Sequence, residues 1–176
     1  VRPVCVLLAA RMGGVGFTDA VRNIAIACEL VHNATLLHDD VIDQGTDRRG
    51  APTSRLIYGN AASVLGGDHL LIEALRRVDA LGIGLHTSLL EVIASMVSAE
   101  VLQLELRRRF RPERELYLQV VEGKTAALFR WALEAGGTVG GLDSQEIDNL
   151  GQVGTSLGMT FQLGDDLLDV EGDPTQ

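Results

Sequence analysis

One five-residue pattern occurs twice. Asp39-Asp40-Val41-Ile42-Asp43 and Asp165-Asp166-Leu167-Leu168-Asp169 both read D-D-x-x-D. A helix turns by about 100° per residue, so the first, second and fifth positions fall within an arc of roughly 100°. Each segment therefore sets three carboxylates on one helix face. Both follow apolar sequence, Thr35-Leu36-Leu37 and Phe161-Gln162-Leu163, so neither reads as a solvated charge run. Like charges on one helix face repel. Six held together raise some of their own pKa values unless cations neutralise them. Hard oxygen donors with room for water suit Mg²⁺, which binds through a few carboxylates plus substrate phosphates. A single triplet is often no more than an acidic helix end. Two on separate helices, each closing an apolar run, point to a metal–diphosphate site.

Such a site also needs cationic donors. Arg48-Arg49-Gly50 follows Asp43 on the loop that ends the helix, and arginine binds phosphate oxygens bidentately. A surface loop with two arginines is the plainer reading. Lys124 is the sole lysine; with Thr125 it sits among apolar Val120, Val121 and Leu128. Facing a bundle interior it needs an anionic partner; otherwise it snorkels to solvent. His32 lies two turns before Asp39 on the same side, as an anion donor or as a satisfied core histidine. His38 points to a different face and is not taken as a ligand.

The elements that must position these residues are helical. Of the 176 residues, 46 % are hydrophobic and 22 % charged, enough for one domain's core and too apolar for a disordered chain. Aromatic residues make up only 4 %, and long alternating strand patterns are scarce. Thr18 can cap a helix that runs to Asp43 and breaks near Gly45. Asn60 can cap a second helix through Leu71, interrupted at Gly66-Gly67. Ser88 with Glu91 makes a capping box that opens a third. Pro112 suits the first turn of a fourth, which continues through Leu128. Asp143 and Glu146 open the last, which reaches Asp169. The fold class is therefore all-α, a helical bundle, with the carboxylates of the helices ending at Asp43 and Asp169 converging on one cavity.

Charge and cysteine content narrow the function. With 24 acidic and 15 basic residues the net charge is −9, against a nucleic-acid partner. The six paired aspartates carry two-thirds of that charge. Cys5 and Cys28 are too few for a disulfide framework and favour a reducing compartment. No apolar run approaches the roughly 18 residues of a spanning helix, and the start does not read as a secretory signal. Val1-Arg2-Pro3 runs straight into the apolar stretch 4–10, and the sequence closes on a loop-like Glu171-Gly172-Asp173-Pro174-Thr175-Gln176. Pieces are expected to be missing at both ends.

In these motifs the sequence resembles the trans-isoprenyl diphosphate synthases, the polyprenyl synthetase family, of medium- or long-chain type. Val1-Arg2-Pro3 resembles the end of that family's G-K-x-x-R-P motif. Glu29-Leu30-Val31-His32 through His38-Asp39-Asp40-Val41-Ile42-Asp43 is similar to its first aspartate-rich region. Arg48-Arg49-Gly50, Lys124-Thr125-Ala126 and Phe161-Gln162-Leu163-Gly164-Asp165-Asp166-Leu167-Leu168-Asp169 follow in the family's order, so five motifs cover essentially the whole sequence. The family's Gly-Lys before Arg-Pro and its G-K-P-x-G-x-D segment after the second triplet lie outside this sequence.

The resemblance implies an isoprenoid-synthase-type helical bundle around a central cavity. Residues 1–176 would be a single catalytic domain lacking N-terminal and C-terminal portions of the family fold. It implies a Mg²⁺-dependent prenyltransferase that joins an allylic diphosphate, such as farnesyl diphosphate, to isopentenyl diphosphate and makes a longer all-trans chain. Asp39, Asp40, Asp43, Asp165, Asp166 and Asp169 would hold Mg²⁺, three ions with substrate bound, directly or through their neighbours. Arg48, Lys124, Thr125 and Gln162 would hold the allylic diphosphate; Arg2, His32 and Arg49 would hold that of isopentenyl diphosphate. A homodimer in the cytoplasm, membrane-associated at product release, completes the implied picture.

Tail length should depend on Ala34 and Thr35, the fifth and fourth residues before the first triplet, where shorter-chain members of the family often carry an aromatic. Ser95, Ser98 and Ala99 could line a deeper channel with Met96 or Leu90 at its floor, although small residues also let helices pack closely. Other readings fit less well. A class I terpene cyclase usually mixes Asn, Ser or Thr with Glu in its second metal motif. The partner subunit of a two-component synthase tends to lose the aspartates. An HD-type phosphohydrolase leaves the doubled triplet unexplained, and a ferritin-like bundle needs Glu-x-x-His.

Overall fold

Thr18 opens the central helix as the sequence predicts: its Oγ1 accepts a hydrogen bond from the Val21 N–H at 3.3 Å. The structure, a computed structural model, describes residues 1–109 and 113–171. The chain runs α1 (Arg2–Met12), α2 (Asp19–Ile42), a short hairpin of β1 (Asp47–Arg48) and β2 (Ala51–Pro52), α3 (Ser54–Tyr58), α4 (Asn60–Asp79) and α5 (Leu85–Arg109). Then come α6 (Arg114–Val121), a π-helical turn (Glu122–Ala126), α7 (Ala127–Gly140) and α8 (Ser144–Glu171). The fold is all-α, as expected; the hairpin is the only sheet among the described residues.

Helix α2 is central because its apolar residues recur at helical spacing. Val21, Ile24, Cys28 and Val31 are buried against Val6 and Ala9 of α1, Val78 of α4, Leu89 of α5 and Leu128, Phe129 and Trp131 of α7. Burying one such large side chain contributes about 1.5–3 kcal/mol. Helix α7 is packed between α1 and α8, and α5 lies against α4, α7 and the π-turn. At the start of α8, the Asp143 N–H donates to Glu146 Oε2 and the Glu146 N–H to Asp143 Oδ1, both at 2.9 Å. That is the reciprocal cap these two residues predict.

Three expectations need correction. Gly66-Gly67 does not interrupt its helix: α4 runs unbroken to Asp79, and Asn60 makes no side-chain cap. A Cβ at Gly67 would stand 2.2 Å from His38 Nε2. The glycine therefore serves the close crossing of α4 on α2 rather than a break. Ser88 opens no helix, because α5 begins at Leu85. Its hydroxyl donates to the Leu85 carbonyl and accepts from Trp131 Nε1, each at 2.9 Å, anchoring the buried indole. Pro112 lies outside the described residues, and the helix placed there begins at Arg114.

The continuation of that helix is the feature that matters for the site. The backbone widens into one π-turn at Glu122–Ala126, which contains Lys124 and Thr125. Such single turns inside α-helices are frequent at functional sites. A Cβ at Gly158 would stand 2.4 Å from Ala126 Cα, so only glycine lets α8 run this close to the π-turn. From there α8 carries Gln162 and Asp165 forward.

Candidate active site

Helix α2 ends with Asp43 as its C-cap residue. Asp39 and Asp43, one turn apart, face a cavity of about 710 Å³, and Asp165 of α8 faces the same cavity. Arg2, His32, Thr35, Arg48, Arg49, Lys124, Thr125 and Gln162 line it as well. Thus α1, α2, the hairpin, the π-turn and α8, far apart in sequence, meet around one space.

The other three aspartates do not line that space. Asp40 is 5 % exposed and accepts from Arg48 Nη2 at 2.8 Å and Nε at 3.2 Å. Asp166 borders an adjoining hollow of about 630 Å³, where it accepts from the Tyr117 hydroxyl and, at 2.7 Å, from Gln162 Nε2. Thr125 Oγ1 donates in turn to Gln162 Oε1 at 2.7 Å. A hydrogen-bond chain therefore ties the π-turn to the second triplet. Asp169, one turn farther along α8, is exposed and belongs to the wall of neither space.

The acidic side of the cavity is already partly neutralised. Lys124 Nζ lies 3.5 Å from Asp39 Oδ2. Burial pushes the Asp39 carboxyl above the usual carboxylate range, and the Lys124 charge pulls against that rise. The same ammonium contacts Glu100 and donates to Gln103 Oε1 at 2.9 Å. Asp43 is paired with Arg107.

The cavity also carries a cationic cluster. The hairpin closes with Arg49 and Gly50 at φ 55° and 77°. Its register pairs Arg48 with Ala51 and leaves a two-residue turn. Positive φ at both turn positions matches the right-handed twist of the flanking strands. The non-glycine Arg49 holds this conformation at a cost of about 1–2 kcal/mol. The turn sends Arg48 onto Asp40 and sets Arg49 on the cavity wall. Burial, then Arg2, Arg49 and Arg48, lowers the His32 pKa to about 4. His32 is thus neutral at pH 7 beside three guanidinium groups. Arg2 stacks 4.5 Å above the Phe129 ring, a cation–π contact, and its buried Nε has no hydrogen-bond partner among the described residues. This cluster is built for an anion.

The wall also has an apolar part, formed by Leu71, Ile93, Met96, Val97, Val101 and Leu104. Thr35 is on it, whereas Ala34 is fully buried outside the lining. Of the channel candidates on α5, Met96 is on the wall; Leu90, Ser95, Ser98 and Ala99 are not. The carboxylate oxygens of Asp39, Asp43 and Asp165 are the hard donors Mg²⁺ takes. Among the described residues no three acidic, His or Cys side chains form a ready-made cage. Mg²⁺ needs none where substrate phosphates and water complete its shell. Sequence reasoning missed Glu100, Gln103 and Arg107 of α5 and Tyr117 of α6. Glu100 alone carried a signal, a charge set between apolar Val97 and Val101.

The comparisons with known proteins agree with this geometry. The polyprenyl synthetase family pattern matches residues 1–176. Octaprenyl diphosphate synthase of Escherichia coli (strain K12) is 40 % identical over 181 residues, covering 100 % of this chain and 54 % of its own length. Among solved structures, a decaprenyl diphosphate synthase from Rhodobacter capsulatus superposes with a TM-score of 0.91 at 41 % identity, over 96 % of this chain and 52 % of that one. A polyprenyl synthase from Caulobacter crescentus CB15, complexed with calcium and isoprenyl diphosphate, gives a TM-score of 0.92 at 38 % identity, over 98 % and 52 %. The chain spans about half the length of the relatives it matches. With aspartates, arginines and an apolar wall around one cavity, and a match from first residue to last, this chain has the isoprenoid synthase fold and belongs to the polyprenyl synthetase family.

Proposed function

We propose that the protein is a Mg²⁺-dependent trans-prenyltransferase. It joins an allylic diphosphate to isopentenyl diphosphate and makes a medium- or long-chain polyprenyl diphosphate. The observation that carries this reading is the mixed wall of one cavity: the carboxylates Asp39, Asp43 and Asp165, the cationic and polar groups Arg2, His32, Arg48 and Arg49, and apolar Leu71, Ile93, Met96, Val97, Val101 and Leu104 all line it. A diphosphate with a hydrocarbon tail needs all three.

Asp39, Asp43 and Asp165 would hold Mg²⁺, with Asp40, Asp166 and Asp169 supporting them. The bound ion supplies charge neutralisation at the departing diphosphate. Lys124, Thr125 and Gln162 orient the allylic diphosphate, and Asp40 holds Arg48 in place for the same group. Arg2, His32 and Arg49 bind the second diphosphate and so fix the attacking double bond beside the allylic carbon; placement of this kind removes a large part of a bimolecular barrier. The apolar wall shelters the allylic cation from water. The proton lost after condensation passes to the released diphosphate, so no side chain need act as base. Among the described residues no helix is long and apolar enough to cross a membrane. The protein would work as a homodimer in the cytoplasm and meet a membrane at product release.

The test is to incubate full-length protein with Mg²⁺, farnesyl diphosphate and labelled isopentenyl diphosphate and to size the products. Isopentenyl-dependent elongation supports the reading. Diphosphate release from farnesyl diphosphate alone would replace it with a cyclase or hydrolase.

A further inference from the structure

One carboxylate on the cavity wall has no task in this mechanism. Glu100 lies on α5, its side chain 13 % exposed. Its Oε2 takes the Lys124 ammonium in a contact closer than the 3.5 Å from that ammonium to Asp39. Gln103, one turn along α5, accepts from the same ammonium at 2.9 Å. Glu100 Oε1 is buried and has no hydrogen-bond partner among the described residues. Keeping a carboxylate so placed costs free energy. Lys124 could have been neutralised by Asp39 alone, so that cost calls for a compensating role.

We propose that Glu100 is a positioning residue: it holds the Lys124 ammonium off Asp39, so that the Asp39 carboxylate stays open to a divalent cation while Lys124 faces the diphosphate. The proposal rests on the reading of this cavity as a metal–diphosphate site. Without the Glu100 charge, the nearest carboxylate to Lys124 is Asp39. Gln103 offers only a neutral acceptor, and charge-assisted contacts are about twice as strong as neutral ones. The ammonium then closes on Asp39, and an incoming cation must displace it. Arg107, on the same helix, pairs with Asp43. Helix α5 therefore treats the two cavity-facing carboxylates of the first triplet in opposite ways, drawing a cation from one and giving a cation to the other.

The experiment is a calorimetric titration of the full-length protein with Mg²⁺ in the presence of inorganic diphosphate, alongside steady-state kinetics. Glu100→Gln keeps the shape and removes the charge. It should weaken apparent Mg²⁺ affinity about tenfold and raise the Mg²⁺ needed for half-maximal rate by a similar factor. The rate at saturating Mg²⁺ should stay within about threefold. In a Lys124→Met background the same Glu100→Gln change should shift Mg²⁺ affinity less than twofold, because no ammonium remains to be redirected. Glu100→Asp, which keeps the charge on a shorter arm, should show an intermediate loss; it serves if the glutamine variant fails to fold. An equal loss with and without Lys124, or unchanged Mg²⁺ affinity in both Glu100 variants with Lys124 present, overturns the proposal and leaves the functional reading standing. Absence of Mg²⁺–diphosphate binding by the unmodified protein overturns both.

Discussion

The two D-D-x-x-D segments share a spacing and differ in what surrounds them. At the first, every carboxylate has a cation from another element: Lys124 beside Asp39, Arg48 on Asp40 and Arg107 on Asp43. At the second, Asp166 is held by neutral donors, Tyr117 and Gln162. Asp165 and Asp169 have no partner among the described residues. One motif thus serves two electrostatic states. At the first triplet a divalent cation meets Arg48 on Asp40 and Arg107 on Asp43, while the ammonium beside Asp39 is drawn toward Glu100. The second is solvated acid with no cation to displace. The difference follows from position. Asp39 and Asp40 are largely buried on a helix packed on several sides, where an unpaired charge is costly. The second triplet rides the outer end of α8, where water bears the charge.

The largest effect should come from removing one cavity-lining carboxylate of each triplet. Asp39→Ala and Asp165→Ala should each lower turnover by about a thousandfold or more at saturating Mg²⁺, the scale of losing one preorganised electrostatic partner of a transition state. Wild-type rates in either variant would remove that residue from the site. Stability then separates the two. Asp165→Ala should leave unfolding free energy within about 0.5 kcal/mol, as for most surface changes. Asp40→Ala should lose about 2 kcal/mol, because two hydrogen bonds to a buried carboxylate are broken and Arg48 is freed. Chemical denaturation measures both. Equal stability losses would mean that the contrast between the triplets carries no energy.

How much of this contrast was legible in sequence depends on how local its causes are. The triplets, the Thr18 cap and the Asp143–Glu146 box are set within one or two helical turns, and the sequence predicts them. Arg107 meets Asp43 across 64 residues of chain, and Lys124 meets Glu100 across 24. Such pairings are decided by how α5 packs, which no local pattern encodes. Gly66-Gly67 shows the same limit in reverse: a local signal for a break was overridden by a close helix crossing. Ser88 with Glu91 predicts a cap, and its hydroxyl is instead bound to an indole 43 residues away. The π-turn likewise leaves no periodicity to read.

A smaller effect should come from the cationic side, through pH. The His32 pKa stands at about 4 in the fold and near 6.5 in an unfolded chain. Between those values the unfolded chain binds more protons, so stability rises with pH across that window. Put the other way, the contribution is lost as pH falls from about 6.5 toward 4. Burial, and then Arg2 on α1 and Arg49 and Arg48 on the hairpin, oppose the charged form. A His32→Gln variant should therefore show a flatter stability profile from pH 6.5 to 4 than the parent. Identical slopes in the two proteins would show that neither burial nor the guanidinium groups shift His32.

The smallest effect on rate, and the sharpest on product, concerns the residue one turn before each triplet. On α2 this is Thr35, on α8 it is Phe161, and both line the cavity. Residues four apart share a helix face, so each stands directly behind its first aspartate. Phe161 meets the Phe129 ring at 5.7 Å between centroids and closes the α8 side with aromatic bulk. Thr35 is small, and Ile93, Met96 and Val97 line the same cavity. A growing hydrocarbon tail should therefore run along α2. Thr35→Phe should shorten the product while changing the rate of the first condensation less than about tenfold. Phe161→Ala should leave the main product length unchanged. Ala34→Tyr tests the neighbouring position by another route. Ala34 lies one turn before His38, whose ring meets α4 at Gly67, so a tyrosine there must open the α2–α4 seam. Shortening by Ala34→Tyr should come with a fall in melting temperature of several degrees, as overpacking costs about 1–3 kcal/mol; Thr35→Phe should shorten without that fall. Product sizing beside thermal unfolding separates the cases. An unchanged product in Thr35→Phe, or a longer one in Phe161→Ala, would move the tail from α2 to α8.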